Sequence, residues 1–232
     1  MYVIVYGVII LIVIACIIPM SSALFAALGI IFGVIAVIAI AKRNFEMSKK
    51  CNKGYAEDML IIQNVKEGGV IKIANLEGYD SDVDLKVVGR NLYMEGDYSW
   101  YELECVRNDG EKVWVDVDND DDLVVSVVLK KLKMSEVHLS SSLEVIDEEE
   151  TGSVKYDGAK FFYEDSGDAT FYKYCDDKHK EKLYYWDFKS GNFLVTVERW
   201  KNENGVSDTL AYYSQIVRPA AITVYSIGGE GK

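Results

Sequence analysis

The chain has 232 residues, a formal net charge of -12 and a sequence pI of about 4.7. So acidic a protein is a poor match to nucleic acid, where affinity comes from lysine and arginine displacing counterions from phosphates. Only 2 prolines among 16 tyrosines and a 50% hydrophobic content exclude a disordered chain and favour an ordered, β-rich one.

The first 41 residues carry no charged side chain, and Lys42-Arg43 closes the stretch. One helix of that length would be about 60 Å long, roughly twice the hydrocarbon thickness of a bilayer. Pro19-Met20-Ser21-Ser22 supplies a break, since proline lacks the N–H a helix interior needs and serine caps a new helix. The pattern predicts a two-span transmembrane helical hairpin in residues 1–43, with spans at about 2–18 and 23–41, meeting the lipid bilayer through residues 1–41. Gly29 and Gly33 form a GxxxG, which lets helices approach closely. Lys42, Arg43, Lys49, Lys50 and Lys53 stand against a single Glu46 and act in this reading as topology determinants. Positive charge is retained inside, so the expectation is a two-pass protein of the cell membrane whose remaining part faces the cytoplasm. Val13-Ile14-Ala15-Cys16 resembles a lipoprotein cleavage box, but a further apolar stretch follows it where a polar tether belongs. The 4 cysteines contain no CxxC, which argues against a disulfide framework and for a reducing compartment.

Residues 44–60 read as a polar juxtamembrane connector, and the rest as a mainly β, mostly antiparallel region of two weakly repeated modules, 61–146 and 147–232. Asn108-Asp109-Gly110 and Ser190-Gly191-Asn192 each separate two alternating runs, the pattern of a β-hairpin. Met94–Asp97 and Asn202–Gly205 are further turns. Val113, Val115 and Val117 share one face, as do Leu123, Val125, Val127 and Leu129. No comparable helical period occurs beyond residue 70. Four short echoes support duplication: Leu85–Gly89 with Val154–Gly158, Gly96–Tyr101 with Gly167–Tyr172, Val113–Asp116 with Tyr184–Asp187, and Leu123–Val127 with Leu194–Val197. Their offset stays near 70 residues. Asp147–Gly152 reads as a charged joint between the halves.

No motif for catalysis, cofactor or metal emerges. Asp116, Asp118, Asp120, Asp121 and Asp122 begin like a calcium loop, but Asp121 stands where glycine is needed and Val127 where the closing glutamate is needed. A solvated acidic turn is the better reading. His138 and His179 lack partners at zinc-binding spacing, and Ser140-Ser141-Ser142 lacks the strand–elbow–helix setting of a hydrolase serine. Gly68-Gly69 and Gly228-Gly229 are not followed by the Lys-Ser/Thr of a phosphate loop. Trp100, Trp114, Trp186 and Trp200 read first as buried core residues and second as a stacking surface. Glu102 and Glu198 lie beside tryptophans, so Trp100, Tyr101, Glu102, Trp186 and Glu198 form the candidate ligand or partner surface.

Asn64–Ile73, Trp100-Tyr101-Glu102, Tyr156-Asp157-Gly158, Tyr185–Phe188, Val197–Trp200 and Ile222–Tyr225 resemble the bacterial domain-of-unknown-function family 4178, over about residues 61–225. The resemblance implies no settled activity and no catalytic residues. It implies association by gene neighbourhood with bacterial envelope-stress and polyamine-related systems. The sequence thus leads to the expectation of a membrane-tethered, non-enzymatic binding or scaffold protein with a protein partner and no cofactor. The alternative is a sensor or enzyme acting on a small cationic ligand.

Overall fold

The computed structural model describes residue 29 and residues 31–43, 59–119, 122–201 and 207–229. Two compact units divide the chain, one ending at Lys49 and one beginning at Lys50.

In the first unit, helix α1 covers residues 31–43, with residue 29 also helical. At 1.5 Å per residue this run is about 20 Å long, short of the roughly 30 Å hydrocarbon core. Among the described residues no helix is long and apolar enough to cross a membrane, so the expected two-span hairpin is corrected. Hydropathy registers what surroundings a stretch prefers, not how many consecutive residues are helical. The expected first span at 2–18, the lipoprotein-like box, Lys49, Lys50 and Lys53 lie outside the described residues, while Lys42 and Arg43 are the last described residues of α1. A Cβ added at Gly29 or Gly33 would meet nothing within 4 Å, so the GxxxG carries no packed neighbour among the described residues.

The second unit is mainly β and antiparallel throughout. Its strands are β1 (Val70–Ile73), β2 (Val83–Glu95), β3 (Tyr98–Arg107), β4 (Lys112–Asn119), β5 (Leu123–Leu132), β6 (His138–Leu139), β7 (Ser153–Tyr156), β8 (Ala159–Tyr172), β9 (Lys180–Ser190), β10 (Phe193–Lys201), β11 (Ser207–Val217) and β12 (Ile222–Ser226). Their order in the sheet is β12-β1-β2-β3-β4-β5-β11-β10-β9-β8-β7-β6, and β2 also pairs with β8. That last pairing closes β2 to β5 and β8 to β11 into an eight-stranded ring. The seam at β5–β11 is long, from Val125↔Val217 to Leu132↔Ala211. The seam at β2–β8 has only Leu92↔Tyr172, Tyr93↔Phe171 and Met94↔Thr170.

The order reads the same from both ends. Meander β1–β5 occupies the places of meander β7–β11, and each is flanked by the other's trailing strand: β12 beside β1, β6 beside β7. In this correspondence β4 answers to β10 and β5 to β11, so the turn at Asn108–Gly110 answers to that at Ser190–Asn192. The sequence echoes instead match β4 with β9 and β5 with β10, one strand out of step. A strand with its turn takes about ten residues, and neighbouring strands of similar composition are hard to tell apart.

Period two gives each ring strand an inner and an outer face. The outer residues of β3 to β5, among them Leu103, Val115 and Val127, pack beneath β1, Ile62 and Val65 as one core. Those of β8 to β11, among them Phe188, Val195 and Val197, pack beneath Leu143 and Ile146 as a second. Leu143 and Ile146 belong to helix α2 (Leu143–Glu149), capped by Ser142, whose side chain accepts from Val145 N. Seven residues are too few to leave a periodic signal in the sequence, and none marks α2 there. Asp147, the first residue of the charged stretch, sits on α2 and accepts a bond from Tyr184 Oη at 2.6 Å. Cys175 is disulfide-bonded, which cysteine spacing offered no reason to expect.

Candidate functional site: an acidic and aromatic lumen

The inner faces enclose a cavity of about 670 Å³, to which all eight ring strands contribute. An eight-stranded ring is at the size where an interior either fills with side chains or holds one small ligand. Here it does some of each. Near the short β2–β8 seam aromatic rings fill it: Tyr93 stacks on Trp100 with centroids 5.1 Å apart, Trp100 meets Tyr185 edge-on at 5.9 Å, and Phe171 meets Trp200 at 5.3 Å. Elsewhere the inner faces carry Glu102, Asp116, Asp187 and Glu198 around the open volume.

Register places these carboxylates. Glu102 on β3 lies directly opposite Asp116 on β4, where Cβ atoms of an antiparallel pair are about 5 Å apart. Glu198 lies opposite Tyr185, and Asp187 opposite Thr196. Each carboxylate has a neutral donor: Asn91 Nδ2 to Glu102 at 2.8 Å, Ser126 Oγ to Asp116 at 3.3 Å, Thr196 Oγ1 to Asp187 at 2.6 Å, and Trp200 Nε1 to Glu198 at 2.8 Å. None of the four forms an ion pair with a described lysine or arginine. They contrast with Glu104, whose carboxylate is held by Lys112 Nζ at 2.6 Å.

Burial in the lumen wall raises all four above the usual carboxylate range, although each stays half-buried rather than fully enclosed. Burial is the main cause for Glu102, with the Asp116 charge adding to it and the Asn91 bond opposing it. Burial likewise raises Asp116, against the Ser126 bond and with the Asp187 charge. Asp187 is pushed up to about 6 and Glu198 to about 8, in both cases by burial first, with the neighbouring side-chain donor opposing. Lys131, which also lines the lumen, pulls Glu198 slightly the other way.

Of the predicted surface, the lumen brings together Trp100, Glu102 and Glu198. Tyr101 and Trp186 are excluded by parity. Tyr101 faces the outer core, where its ring lies 3.8 Å from the Arg90 guanidinium and its hydroxyl donates to Ile62 O at 3.3 Å. Trp186 is buried in the second core with Arg199 over its ring. Trp114 and Trp200 line the lumen, Trp200 also packing against a cluster of Tyr93, Ala169, Leu183 and Tyr185. Sequence reasoning missed Asp116 and Asp187 as interior groups. In sequence Asp116 reads as part of a solvated turn, yet it shares the inner face of β4 with Trp114 and Asp118. The signal available was the alternation Val113, Val115, Val117, which already put the even positions on the opposite face.

Three features stay outside the site. His179 is on the surface, its Nδ1 3.2 Å from Asp176, and His138 is exposed on β6. The two glycine pairs meet each other, Gly229 N donating to Glu67 O at 3.0 Å, and close the ends of β1 and β12. Among the described residues no group of three or more His, Cys, Asp or Glu is placed to hold a metal ion.

A family model described as a domain of unknown function, DUF4178, matches residues 81–211. The chain belongs to this family. The DUF4178 match is narrower than the stretch that carries the resemblance in the sequence. It runs from just before β2 into β11, so it takes in the ring and all four lumen carboxylates while leaving out β1 and β12. No curated protein and no solved structure matches the chain.

Proposed function

We propose that this protein is a non-enzymatic binding protein whose ring lumen takes up a small organic cation. The observation that carries the reading is the Glu102–Asp116 pair, two carboxylates on directly opposed residues of the lumen wall with no described lysine or arginine bonded to either. Like charges so placed repel, and a positive group between them relieves the repulsion. Trp100, Tyr93 and Trp200 supply ring faces for the apolar part of such a ligand and for cation–π attraction. The volume lies within the range of roughly 300–1,000 Å³ usual for small-molecule sites. This reading assigns no chemical step to these side chains.

Thermal unfolding of the full chain tests it with tetramethylammonium, n-butylammonium, 1,4-diaminobutane, magnesium and, as an anionic control, butyrate. Organic cations at millimolar concentration should raise the midpoint, since a ligand at a hundred times its Kd adds about 2.7 kcal/mol. Butyrate should leave it unchanged, and Glu102→Gln should weaken the cation response. No response to any of the organic cations would remove the reading.

A further inference from the structure

We infer that the lumen exchanges protons for its cation: when empty, Glu102 and Asp116 hold a proton between them, and an arriving cation displaces it to bulk water. This rests on the cation-binding reading above and names how that site is regulated.

Glu102 and Asp116 are cross-strand partners on the inner face, and each has a single side-chain donor, Asn91 on the β2 side and Ser126 on the β5 side. Neither donor is charged, so neither cancels the repulsion between two ionised carboxylates. Two carboxylates at this separation in an enclosed site ionise in two separate steps, the second well above the first. A proton is then the smallest cation that fills the pair.

The groups facing the pair strengthen the effect. From β10 Glu198 and from β9 Asp187 face the pair, and each, when ionised, raises it further. On the pair's own strands Glu104 is neutralised by Lys112, and Asp118 accepts a bond from Tyr98 Oη. From β8, Asp165 contributes a further carboxylate on the lumen wall, and from β11 Tyr212 contributes a neutral phenol. Glu181 and Asp208 also line the cavity. The cations on the wall are few: Lys131 from β5 acts on Glu198, and Lys173 comes from the turn after β8. Negative groups therefore outnumber free cations around the pair, and protons make up part of the balance in the empty state. Burial raises the carboxylates in the same direction.

Tetramethylammonium is the first probe, because it has no proton of its own to lose. n-Butylammonium is run in parallel, its ammonium staying charged throughout the range used. Calorimetry of the full chain in two buffers of different protonation enthalpy at pH 7 counts the protons released per cation bound. The expected result is about one proton, with affinity rising about tenfold per pH unit between pH 6 and 7.5. Asp116→Asn should cut the release by more than half while leaving a folded ring, checked by its cooperative unfolding.

Binding of either probe with no proton released and no pH dependence would overturn the exchange and leave the cation site standing. Failure of every cation to bind would overturn both. A carbon-13 titration of the ligand-free chain adds an independent check. The Glu102 and Asp116 carboxyl carbons should move in two steps, at least one above pH 6, and completion of both below pH 5 would overturn the inference whatever binds.

Discussion

Asp187 and Phe188 are consecutive residues of β9, and they live in opposite chemistry. Phe188 is fully buried among Trp186, Val195 and Val197, in a core with no carboxylate among its residues. Asp187 faces the lumen, where a single hydroxyl supports its carboxylate and neighbouring carboxylates repel it. One peptide bond thus separates a group whose burial stabilises the fold from a group whose burial costs stability. The outer cores hold the ring together, and the lumen spends part of that stability on a cavity that charge keeps from collapsing. A ring built only to be stable would fill its interior with leucine and valine, as its outer faces do. The way to break the comparison is to perturb each side and read stability as a function of pH.

The largest effect is expected in the cores. Phe188→Ala removes a large, fully enclosed ring and leaves a cavity between α2 and the sheet. Chemical denaturation should show a loss of about 3–5 kcal/mol, equal at pH 5 and pH 8, because no titrating group is involved. A loss under about 1 kcal/mol would mean that the second core is not the principal support of the ring.

The lumen should respond oppositely and with pH. Carboxylates whose folded values are raised bind more protons in the native chain than in the unfolded one. The stability they contribute is fully present below about pH 4, the ordinary unfolded range. It is lost as pH rises through about 6 for Asp187 and about 8 for Glu198. The ligand-free chain should therefore unfold more readily at pH 8 than at pH 5. Glu198→Gln keeps an oxygen for Trp200 Nε1 and removes the charge. It should stabilise the protein at pH 8 by on the order of 2 kcal/mol, and by almost nothing at pH 4. A destabilised variant at pH 8 would show that Glu198 is ionised and favourably placed, contrary to a carboxyl raised by burial.

How much of this the sequence carried differs by element. The two hairpin turns are legible because Gly110 and Gly191 adopt positive φ, 89° and 59°, that other residues resist. Alternation is legible along β4 and β5, and it implies two faces for each strand. It cannot say that the polar face is enclosed, because enclosure depends on Tyr93↔Phe171 and its two neighbours, a contact between distant strands that no local pattern encodes. Hence Asp116 looks solvated in sequence. Tyr101 and Trp186 group with the site by adjacency in sequence, where the strand's period places adjacent residues on opposite faces. The seven residues of α2 are too few for a helical period to stand out. In the N-terminal stretch, composition identifies apolar residues, but a spanning length does not follow from composition, and no helix among the described residues reaches it.

A smaller effect should appear where the lumen meets the turn after β8. Asn91 Nδ2 donates to Glu102, while Asn91 Oδ1 accepts from Tyr174 N at 2.9 Å. Tyr174 and Cys175 both hold left-handed backbone, at φ 52° and 57°, a conformation that needs outside support for residues with a side chain. Asn91→Ala removes both bonds and leaves a backbone N–H without its partner. The expected loss is about 1–3 kcal/mol, together with faster amide exchange at Tyr174 than at Ser214 on β11, across the ring from β2. Unchanged exchange at Tyr174 would show that the turn is held by its other contacts.

The smallest effect sharpens the contrast because it uses the very next residue. Lys189 follows Phe188 on β9, and its ammonium lies 3.1 Å from Glu164 on β8, with both side chains substantially exposed. Glu164 is an acidic group on a ring strand with a charged partner and an exposed side chain, whereas Asp187 has only a neutral donor and is half-buried on the lumen wall. Exposed pairs gain little, because solvent screens them and long side chains give up freedom to meet. Lys189→Ala should change stability by less than about 0.5 kcal/mol, with the same value at pH 5 and pH 8. If it instead reproduced the pH-dependent change expected of Glu198→Gln, the pH response would belong to carboxylates on these strands in general. The contrast between a solvated carboxylate and an enclosed one, on neighbouring strands of one ring, would then not be its cause.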